Sequence, residues 1–370
     1  MRLVRATEQD NDRLLHYFAQ NAYPGAIRMQ TQRMFNFFNQ YRLQSDDFST
    51  YMILSEHDQI EAIATLVFRK GFLDGVEQTV GYATDLRVSP NRRAITSWTE
   101  HFLPIIESER KARNCKYIFT TVARSQRQAY NAFIRPRNLR RPMPRYHLFR
   151  RFQMITLHGL WPFHAQPLPG IKIRTAQAAD AEQIAEYIVR QTQTAPLRYL
   201  NGAADFKQSL ARWRDLNIEN FILASDKNGK LIGCVAPWSA ERVQRIYPLA
   251  FASAASNMQD MLRVLSWFGV AHPMAVVGEE MQMRHLTHLH ADNPDIFYSL
   301  LFHAYQMAGK KEFLVYPHFE GNLTNLAPRS FISAEMNFGY YCILLPSDGV
   351  PDFLKPRSLS YSPVFESAFM

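Results

Sequence analysis

The pattern of hydrophobic and polar positions is most informative between Gly81 and Val122, where its period changes twice. Alternation up to Val88 predicts a strand, and the run Ser-Pro-Asn that follows is a turn signal. From Arg92 onward the apolar residues recur at helical spacing, and Cys115–Val122 is a second short apolar run. The stretch therefore predicts a strand, a tight turn, a helix and a second strand.

The predicted turn is a candidate anion site. Free N–H groups and the positive end of the helix dipole converge at a helix N-terminus. Arg92 and Arg93 add two positive charges at this place. We take this turn as the centre of the candidate function.

The remaining pattern predicts two similar halves. The first half opens with a strand and a helix that Asp10 or Asn11 caps, followed by a second helix near Thr31–Leu43 with an aromatic stripe. Further strands are expected at Phe48–Ser55, Ile60–Arg69, Val76–Val88 and Tyr146–Leu157. A helix is expected at Ser125–Arg135.

A Pro- and Gly-rich run, His158–Gly170, is the best linker candidate, and the pattern restarts after it. The second half repeats the order of strands and helices, with a hairpin signal in DKNGK and a final pair of strands at Phe331–Leu345. We predict a domain at 1–157, a linker at 158–170, a second domain at 171–346 and a peripheral tail at 347–370.

Composition and charge narrow the class of protein. With 370 residues, of which 47% are hydrophobic, the chain can bury large cores and is not disordered. Residues 1–165 hold 24 Lys+Arg and 14 Asp+Glu, whereas the remainder is nearly neutral. Nine arginines and no carboxylate lie between Arg124 and Arg151, which fits either a solvated basic face or a polyanionic partner such as a phosphorylated cofactor or RNA.

Other features point to a cytoplasmic protein without a membrane partner. No apolar run approaches the length of a membrane span, and the N-terminus has no signal-peptide core. The three cysteines lie far apart in apolar runs and are expected to be buried thiols.

The element order resembles the GCN5-related N-acetyltransferase (GNAT) fold in tandem. The resemblance rests on LVRATEQDNDRLLHYF, DLRVSPNRRAITSW and SQRQAYNAF in the first half, and on IKIRTAQAADAEQIAEYI and ILASDKNGKLIGCV in the second. It implies an α+β (three-layer) fold of two GNAT-like domains, each a mixed, mostly antiparallel sheet flanked by helices. It also implies acetyl-CoA or another acyl-CoA as co-substrate.

The resemblance assigns the co-substrate to the strand end, the turn and the start of the helix. The residues implied are Leu86, Arg87, Val88, Arg92, Arg93, Ala94, Ile95, Thr96 and Ser97, with Gln126 from the next helix. Ala94, Thr96 and Trp98 stand where the family has small residues, mostly glycine, that let the backbone approach phosphates.

Candidates for acid–base chemistry are fewer. Asp85 is the candidate base, with pairing to Arg87 or Arg69 as the alternative. Phe133 occupies the place of the family's tyrosine acid, so Tyr130 is a weak substitute on another helix face. In the second half, His288 and His290 share a strand face, and we expect them to line a cleft rather than hold a metal.

The sequence favours an acyl-CoA-dependent N-acyltransferase, most simply an acetyltransferase, that acts on a small-molecule or peptide amine. The turn of the second half, ADNPD, has two carboxylates and no arginine, so we expect that half not to bind CoA. Two alternatives stay open: an aminoacyl-tRNA-dependent transferase of tandem GNAT-like fold, and a non-catalytic protein that binds CoA or another ligand. A monomer and a homodimer are equally compatible with the sequence.

Overall fold

A computed structural model of the chain describes residues 1–126, 130–134, 143–355 and 361–370, without the side chains of residues 132 and 133. The strands are β1 (Arg2–Arg5), β2 (Ile27–Arg33), β3 (Phe48–Leu54), β4 (Ile60–Leu73), β5 (Val76–Val88), β6 (Tyr117–Ala123), β7 (Arg145–Leu160), β8 (Lys172–Thr175), β9 (Leu197–Arg198), β10 (Ile222–Ser225), β11 (Leu231–Ser239), β12 (Gln244–Phe251), β13 (Met283–Ala291), β14 (Phe313–Phe319) and β15 (Phe331–Leu344). The helices are α1 (Asn11–Gln20), α2 (Asn39–Arg42), α3 (Arg92–Ala112), α4 (Ala181–Thr192), α5 (Ala203–Leu210), α6 (Ser253–Trp267) and α7 (Pro294–Met307).

One continuous sheet runs through both halves of the chain. Its strand order is β1-β3-β4-β5-β6-β15-β7-β14-β13-β11-β10-β8, with β9 added beside β4. Most neighbours are antiparallel, and the two parallel pairs are β5 with β6 and β13 with β14. The mixed, mostly antiparallel sheet flanked by helices confirms the predicted α+β fold.

The final strands of the two halves are exchanged at the centre of this sheet. Strand β15 of the second half pairs with β6 of the first, and β7 of the first half pairs with β15 and β14 of the second. The halves are therefore hydrogen-bonded to each other through backbone ladders. The predicted domain boundaries stay a prediction, and β7 extends three residues into the expected linker, to Leu160.

Helices cover the two halves of the sheet with amphipathic faces. In the first half, α3 places Trp98, Phe102 and Ile106 against strands β3 to β5. In the second half, α7 packs Ile296 and Leu300 on β10, β11 and β13. Among the helices described, none is long and apolar enough to cross a membrane.

A two-stranded ribbon forms a further link between the halves. Strand β2 pairs with β12 in antiparallel register, from Arg33 opposite Gln244 to Ile27 opposite Phe251. The prediction of a helix at Thr31–Leu43 is therefore wrong over its first residues, because the backbone of β2 gains a ladder partner from the second half. The predicted aromatic core holds for Phe37, Phe38 and Tyr41, whereas Phe35 is exposed.

Three other predicted elements differ from the structure. Phe331–Leu344 is a single strand rather than two, since it pairs along its length with β7. The Asp10 side chain bonds the N–H of Thr7 and does not cap α1. The tail is not peripheral, because Phe365, Ser367, Ala368 and Phe369 are buried.

Part of the predicted helix Ser125–Arg135 lies outside the described residues. Within it the structure describes a π-helical turn at Tyr130–Ile134. Much of the arginine cluster between Arg124 and Arg151 is likewise outside the described residues, as is the side chain of Phe133.

Candidate functional site

The candidate site begins where the parallel strands β5 and β6 diverge. They pair from Val80 opposite Tyr117 to Ala83 opposite Thr120. Beyond that point β5 continues to Val88 in register with β4 alone. The Thr120 hydroxyl donates to the Ala83 carbonyl, 2.9 Å away, at the point of divergence. The edge of β5 from Thr84 to Val88 thus faces an opening, and an extended ligand with amide groups can pair with such an edge.

A backbone bulge marks the start of this free edge. Asp85 has φ 54°, and the register of β4 against β5 shifts between Ile63 and Thr65. A left-handed conformation is uncommon for a residue other than glycine. In the second half, His288 lies at the corresponding position of β13, with φ 51° and a register shift in β11 opposite it. Both halves therefore have a left-handed residue opposite a register shift at the corresponding position of the sheet.

The candidate base Asp85 lies in a buried network. Its carboxylate accepts from the Arg33 guanidinium at 2.5 Å and from the Tyr41 hydroxyl at 2.8 Å. The Arg33 side chain is only 2% exposed and lies near the rings of Phe18, Phe37 and Tyr41. The sequence suggests Arg87 or Arg69 as the alternative partner of Asp85. In the structure its partner is instead Arg33. The role of Asp85 as a base stays a prediction.

Hydrogen bonds from Ser89 and Asn91 hold the turn after β5 and set where α3 begins. The Asn91 side chain accepts from the Ala94 N–H at 2.7 Å, which is an N-cap bond. Its amide donates to Glu61, and the Ser89 N–H donates to the Glu61 carbonyl. The helix therefore begins at Arg92, and its first N–H groups have no acceptor within the helix.

The side chains around this helix start separate into two groups. Exposed or half-buried residues on the outer side are Arg92, Arg93, Ile95, Thr96 and Ser97. Ala94 and Trp98 are buried and face the sheet, where Trp98 packs in the cluster that contains Leu86 and Val88. Trp98 therefore does not obstruct the outer side of the turn, although it replaces a small residue of the family pattern.

The guanidinium of Arg87 lies at the end of α1, away from the turn. Its guanidinium donates to the carbonyls of Phe18, at 3.0 Å, and Asn21, and lies 3.4 Å from the centre of the Phe18 ring. Burial lowers the pKa of Arg87. The side chain thus satisfies carbonyls at the C-terminal end of α1, where the helix dipole favours a cation. The backbone of Arg87 faces β4, where the residue pairs with Ile63 and its carbonyl lies 3.5 Å from the Tyr17 hydroxyl.

Gln126 and Tyr130 lie on the opposite side of the opening. The Gln126 side chain lies beside the Tyr23 phenol, and the Gln126 carbonyl accepts from the Tyr130 N–H at 2.9 Å. The Tyr130 phenol lies beside that of Tyr341, a residue of β15 from the second half. Whether Tyr130 acts as an acid stays a prediction.

The corresponding opening of the second half is filled by the chain itself. Strands β13 and β14 pair only from Met283 to His285, and the tail segment (residues 361–370) lies against the divergent part. His285 Nδ1 is 3.0 Å from the Ser367 hydroxyl, and the His288 N–H donates to the Glu366 carboxyl at 3.1 Å. Phe369 packs against Trp213.

Two polar side chains of the ADNPD turn in the second half are hydrogen-bonded within the chain. Asn293 caps α7 by accepting from two backbone N–H groups, and Asp292 accepts from the Tyr187 hydroxyl and the Gln191 amide. These bonds occupy the side chains of Asp292 and Asn293 in the ADNPD turn. That this half does not bind CoA stays a prediction that the contacts favour.

Of the strand histidines, His285 and His288 are buried and His290 is half-buried, which favours their neutral forms. Burial lowers the pKa of His285 and His290 to about 4 and that of His288 to about 3. His288 and His290 line a cavity of about 50 Å³ together with Glu366 and Arg69, and burial raises the pKa of Glu366 to about 7. Within the described part of the chain, no group of three His, Cys, Asp or Glu side chains is arranged to hold a metal ion.

The comparisons with known proteins agree with this architecture. No family model matches the chain, and no curated protein matches it. Among solved structures, Saccharomyces cerevisiae N-myristoyltransferase with bound myristoyl-CoA and inhibitors matches 98% of this chain and 86% of its own, with a TM-score of 0.56 and 11% identity. A second structure of that enzyme with bound myristoyl-CoA covers 98% and 89%, with a TM-score of 0.54 and 11% identity. At this identity the likeness establishes the fold, and the chain has the GNAT fold that its sequence resembles.

Sequence reasoning missed two features: the pair Arg33 and Tyr41 at the candidate site, and the tail segment in the opening of the second half. Arg33 and Tyr41 precede Asp85 by more than forty residues, and the predicted helix at Thr31–Leu43 obscured the first of them. The alternating run IRMQTQR was the available signal for strand β2. The second feature is the tail segment, whose buried aromatic residues were hidden in a Pro- and Ser-rich region.

Proposed function

We propose that this protein is an acyl-CoA-dependent N-acyltransferase whose co-substrate binds in the opening between β5 and β6. The observation that carries the proposal is the free edge of β5 leading directly into a capped helix N-terminus with two exposed arginines. The two N-myristoyltransferase structures that share this fold contain bound myristoyl-CoA.

The two ends of the opening suit the two ends of a CoA thioester. The free backbone groups of Leu86 and Val88 can pair with the amides of an extended pantetheine chain. The N–H groups of Arg92 and Arg93 at the start of α3, together with their guanidinium groups, suit the pyrophosphate. In our proposal Ala94, Ile95, Thr96 and Ser97 complete the binding site, and Gln126 contacts the co-substrate from beyond the end of β6.

The state of the three cysteines favours direct transfer of the acyl group to the amine, without a cysteine nucleophile. All three are buried, and burial raises the pKa of Cys115 to about 11 and also raises the pKa values of Cys234 and Cys342. Protonated buried thiols are poor nucleophiles. In our proposal the neutral amine attacks the thioester carbonyl, the C–S bond breaks, and the amine proton passes to a base. Asp85 is the proposed base, and Tyr130 is the weaker proposal for the acid that protonates the thiolate.

Calorimetric titration with acetyl-CoA, and separately with a longer acyl-CoA, tests the co-substrate. We expect binding of at least one of them, weakened at least tenfold by the double substitution Arg92→Ala/Arg93→Ala. The matched control is Arg242→Ala/Arg263→Ala, which removes two exposed arginines elsewhere. No binding at millimolar concentration would refute the proposal, and equal affinities of the two double variants would move the site away from this turn.

The base is tested separately by its pH–rate profile. If Asp85 accepts the amine proton, Asp85→Asn removes the acidic limb of the profile while acyl-CoA affinity is preserved. Asp85→Glu keeps the carboxylate and serves as the comparison. An unaltered profile in Asp85→Asn would assign the proton to another group.

A further inference from the structure

The cavity of about 50 Å³ that His288 and His290 line lies where the two halves of the chain meet. Arg69 of β4 enters its wall from the first half. The rest of the wall comes from the second half: α4, the segment after β9, α5, β13 and the tail segment. Ligand sites are common at such junctions. We call this space the junction cavity.

The Arg69 guanidinium lacks a hydrogen-bond acceptor. It lies 3.2 Å from the centre of the Tyr199 ring and 5.2 Å from that of Phe369. It forms no hydrogen bond and no ion pair with any residue that the structure describes, yet its nitrogens are not fully buried. Stacking on a ring engages the face of the planar guanidinium, whereas its five N–H groups lie in the plane. Its N–H edge is therefore available to a ligand in the cavity.

The carboxyl of Glu366 does not neutralise this charge. It shares the wall with Arg69, but the two described side chains are not joined by an ion pair. One Glu366 oxygen accepts from the His288 N–H at 3.1 Å. Burial raises the pKa of the carboxyl to about 7, so that it is largely protonated at lower pH and can donate a hydrogen bond.

The junction cavity therefore holds an unbalanced positive charge below pH 7. Among the described residues of its wall, Arg69 is the one Lys or Arg and Glu366 the one carboxyl. His290 is half-buried, and because burial lowers its pKa to about 4 it is a neutral ring with one N–H to donate. A desolvated cation without a partner is costly, and an anion in the cavity would relieve that cost.

The size of the cavity indicates which anion fits. At about 10–15 Å³ for each water-sized position, about 50 Å³ holds three to five such positions, which matches the four heavy atoms of acetate. The two oxygens of a carboxylate also match two parallel N–H groups of a guanidinium. A phosphate group carries up to two charges at neutral pH, which a single arginine does not balance.

We propose that the junction cavity binds a carboxylate group, with the Arg69 guanidinium as its main partner and Glu366 and His290 as further donors. The proposal is independent of acyl transfer. Arg69 lies opposite Val80, in the part of β5 that is paired on both sides, and not at the free edge where the acyl-CoA is proposed to bind.

NMR titration of the full chain with sodium acetate at pH 6 and fixed ionic strength tests the proposal, with acetamide as the uncharged isostere. The probe is the indole N–H resonance of Trp213, a residue of the cavity wall, assigned by its loss in Trp213→Phe. We expect acetate to bind in the millimolar range, acetamide at least tenfold more weakly, and inorganic phosphate no more tightly than acetate.

Substitutions of Arg69 test its part in the site. Arg69→Gln should weaken acetate binding at least tenfold, and Arg69→Lys, which keeps the charge without the paired N–H groups, should be intermediate. The matched control is Arg190→Gln, since Arg190 also lies over a tyrosine ring, at 5.1 Å from Tyr187, but is exposed and outside the cavity. Equal weakening in Arg69→Gln and Arg190→Gln would overturn the assignment.

The pH dependence gives a test that does not require a variant at Arg69. The other charged or titratable groups that line the cavity or lie close behind its wall are Arg69, Tyr199, His288, His290 and Cys234. Burial keeps the two histidines neutral above about pH 4 and raises the pKa of the thiol. Glu366 is thus the group that ionises between pH 6 and pH 8, where its negative charge repels a carboxylate and attracts Arg69.

Acetate affinity should therefore fall at least fivefold from pH 6 to pH 8 in the wild type and stay within twofold in Glu366→Gln. An equal fall in both proteins would overturn the role of Glu366. Equal binding of acetate and acetamide, no binding of either, or tighter binding of phosphate would overturn the proposal as a whole.

Discussion

At the scale of single residues, the Arg33–Asp85–Tyr41 network is the most constrained polar group near the candidate site. Arg33 is almost fully buried, so its charge depends on the Asp85 carboxylate. Removing one partner of a buried ion pair leaves an uncompensated charge, at a cost of about 3–5 kcal/mol. We therefore expect Asp85→Asn to lower the free energy of unfolding by about that amount, as measured by urea denaturation.

The matched control for this prediction is Asp58→Asn. Asp58 pairs with Arg2 and Arg13 at the surface, where its side chain is 57% exposed. Exposed ion pairs contribute about 0–1 kcal/mol. If the two variants lost equal stability, the network would not be the buried pair described here.

The Glu366 carboxyl gives a prediction about pH. Its pKa is raised to about 7 in the folded chain by burial, from 4.5. The folded state therefore holds this proton more tightly, so the stabilisation is complete below pH 4.5 and is lost as the pH rises through 7. The buried histidines act in the opposite sense, since their lowered pKa values favour the folded state above pH 6.5.

Comparison of Glu366→Gln with the wild type isolates the carboxyl from the histidines. We expect the variant to gain stability relative to the wild type, by up to about 3 kcal/mol, between pH 4.5 and pH 7.5. Denaturation midpoints across that range measure the difference. A difference that does not change with pH would mean that Glu366 is not titrating in this window.

Residue positions in the strand and turn could be predicted from the sequence, whereas their partners could not. Leu86, Arg92 and Arg93 are identified by local alternation and by the turn signal. The partner of Asp85 is Arg33, fifty-two residues earlier, and hydrophobic periodicity holds no information about such contacts. For the same reason the use of the Arg87 side chain at the end of α1 was not visible in the sequence.

At the scale of elements, strong local periodicity predicted the structure well, and tertiary pairing explains the exceptions. Helices α3 and α7 and strands β5 and β14 are found where their patterns place them. The predicted helix at Thr31–Leu43 includes the last three residues of β2 because an aromatic stripe follows them at helical spacing. The hydrogen bonds of the β2–β12 ladder stabilise an extended backbone. Pairing with a distant strand therefore overrides the local preference for a helix.

The tail segment is an element whose contribution can be measured. Phe365 is 9% exposed and packs against Tyr82, Phe152 and Tyr340, which belong to both halves. Truncating a buried phenylalanine removes apolar contact and leaves a cavity, typically at a cost of about 3–5 kcal/mol. We expect Phe365→Ala to destabilise the chain by this amount in urea denaturation.

Phe163 is the control for the tail, because its side chain is 99% exposed. Phe163→Ala should change the free energy of unfolding by less than about 0.5 kcal/mol. A small effect of Phe365→Ala as well would show that the tail does not pack between the halves in solution.

At the scale of the whole molecule, the exchange of β7 and β15 determines how the halves unfold. Each half completes its sheet with the last strand of the other, and the β2–β12 ribbon joins them again. The sequence predicts an internal duplication, since local patterns repeat. It did not show the exchange, because both strands have the same periodicity whichever neighbour they pair with.

The exchange predicts that the halves unfold together. Neither half can lose its ladder without exposing an edge of the other, so one cooperative transition is expected in spite of the linker. A Trp98→Phe variant restricts tryptophan fluorescence to the linker and second half, and its urea transition should coincide with the loss of far-UV circular dichroism. Cleavage at a protease site inserted into the exposed stretch 168–170 should leave the two pieces associated in gel filtration. Separate transitions, or dissociation after cleavage, would mean that each half pairs its own final strand and that the candidate acyl site is formed by the first half alone.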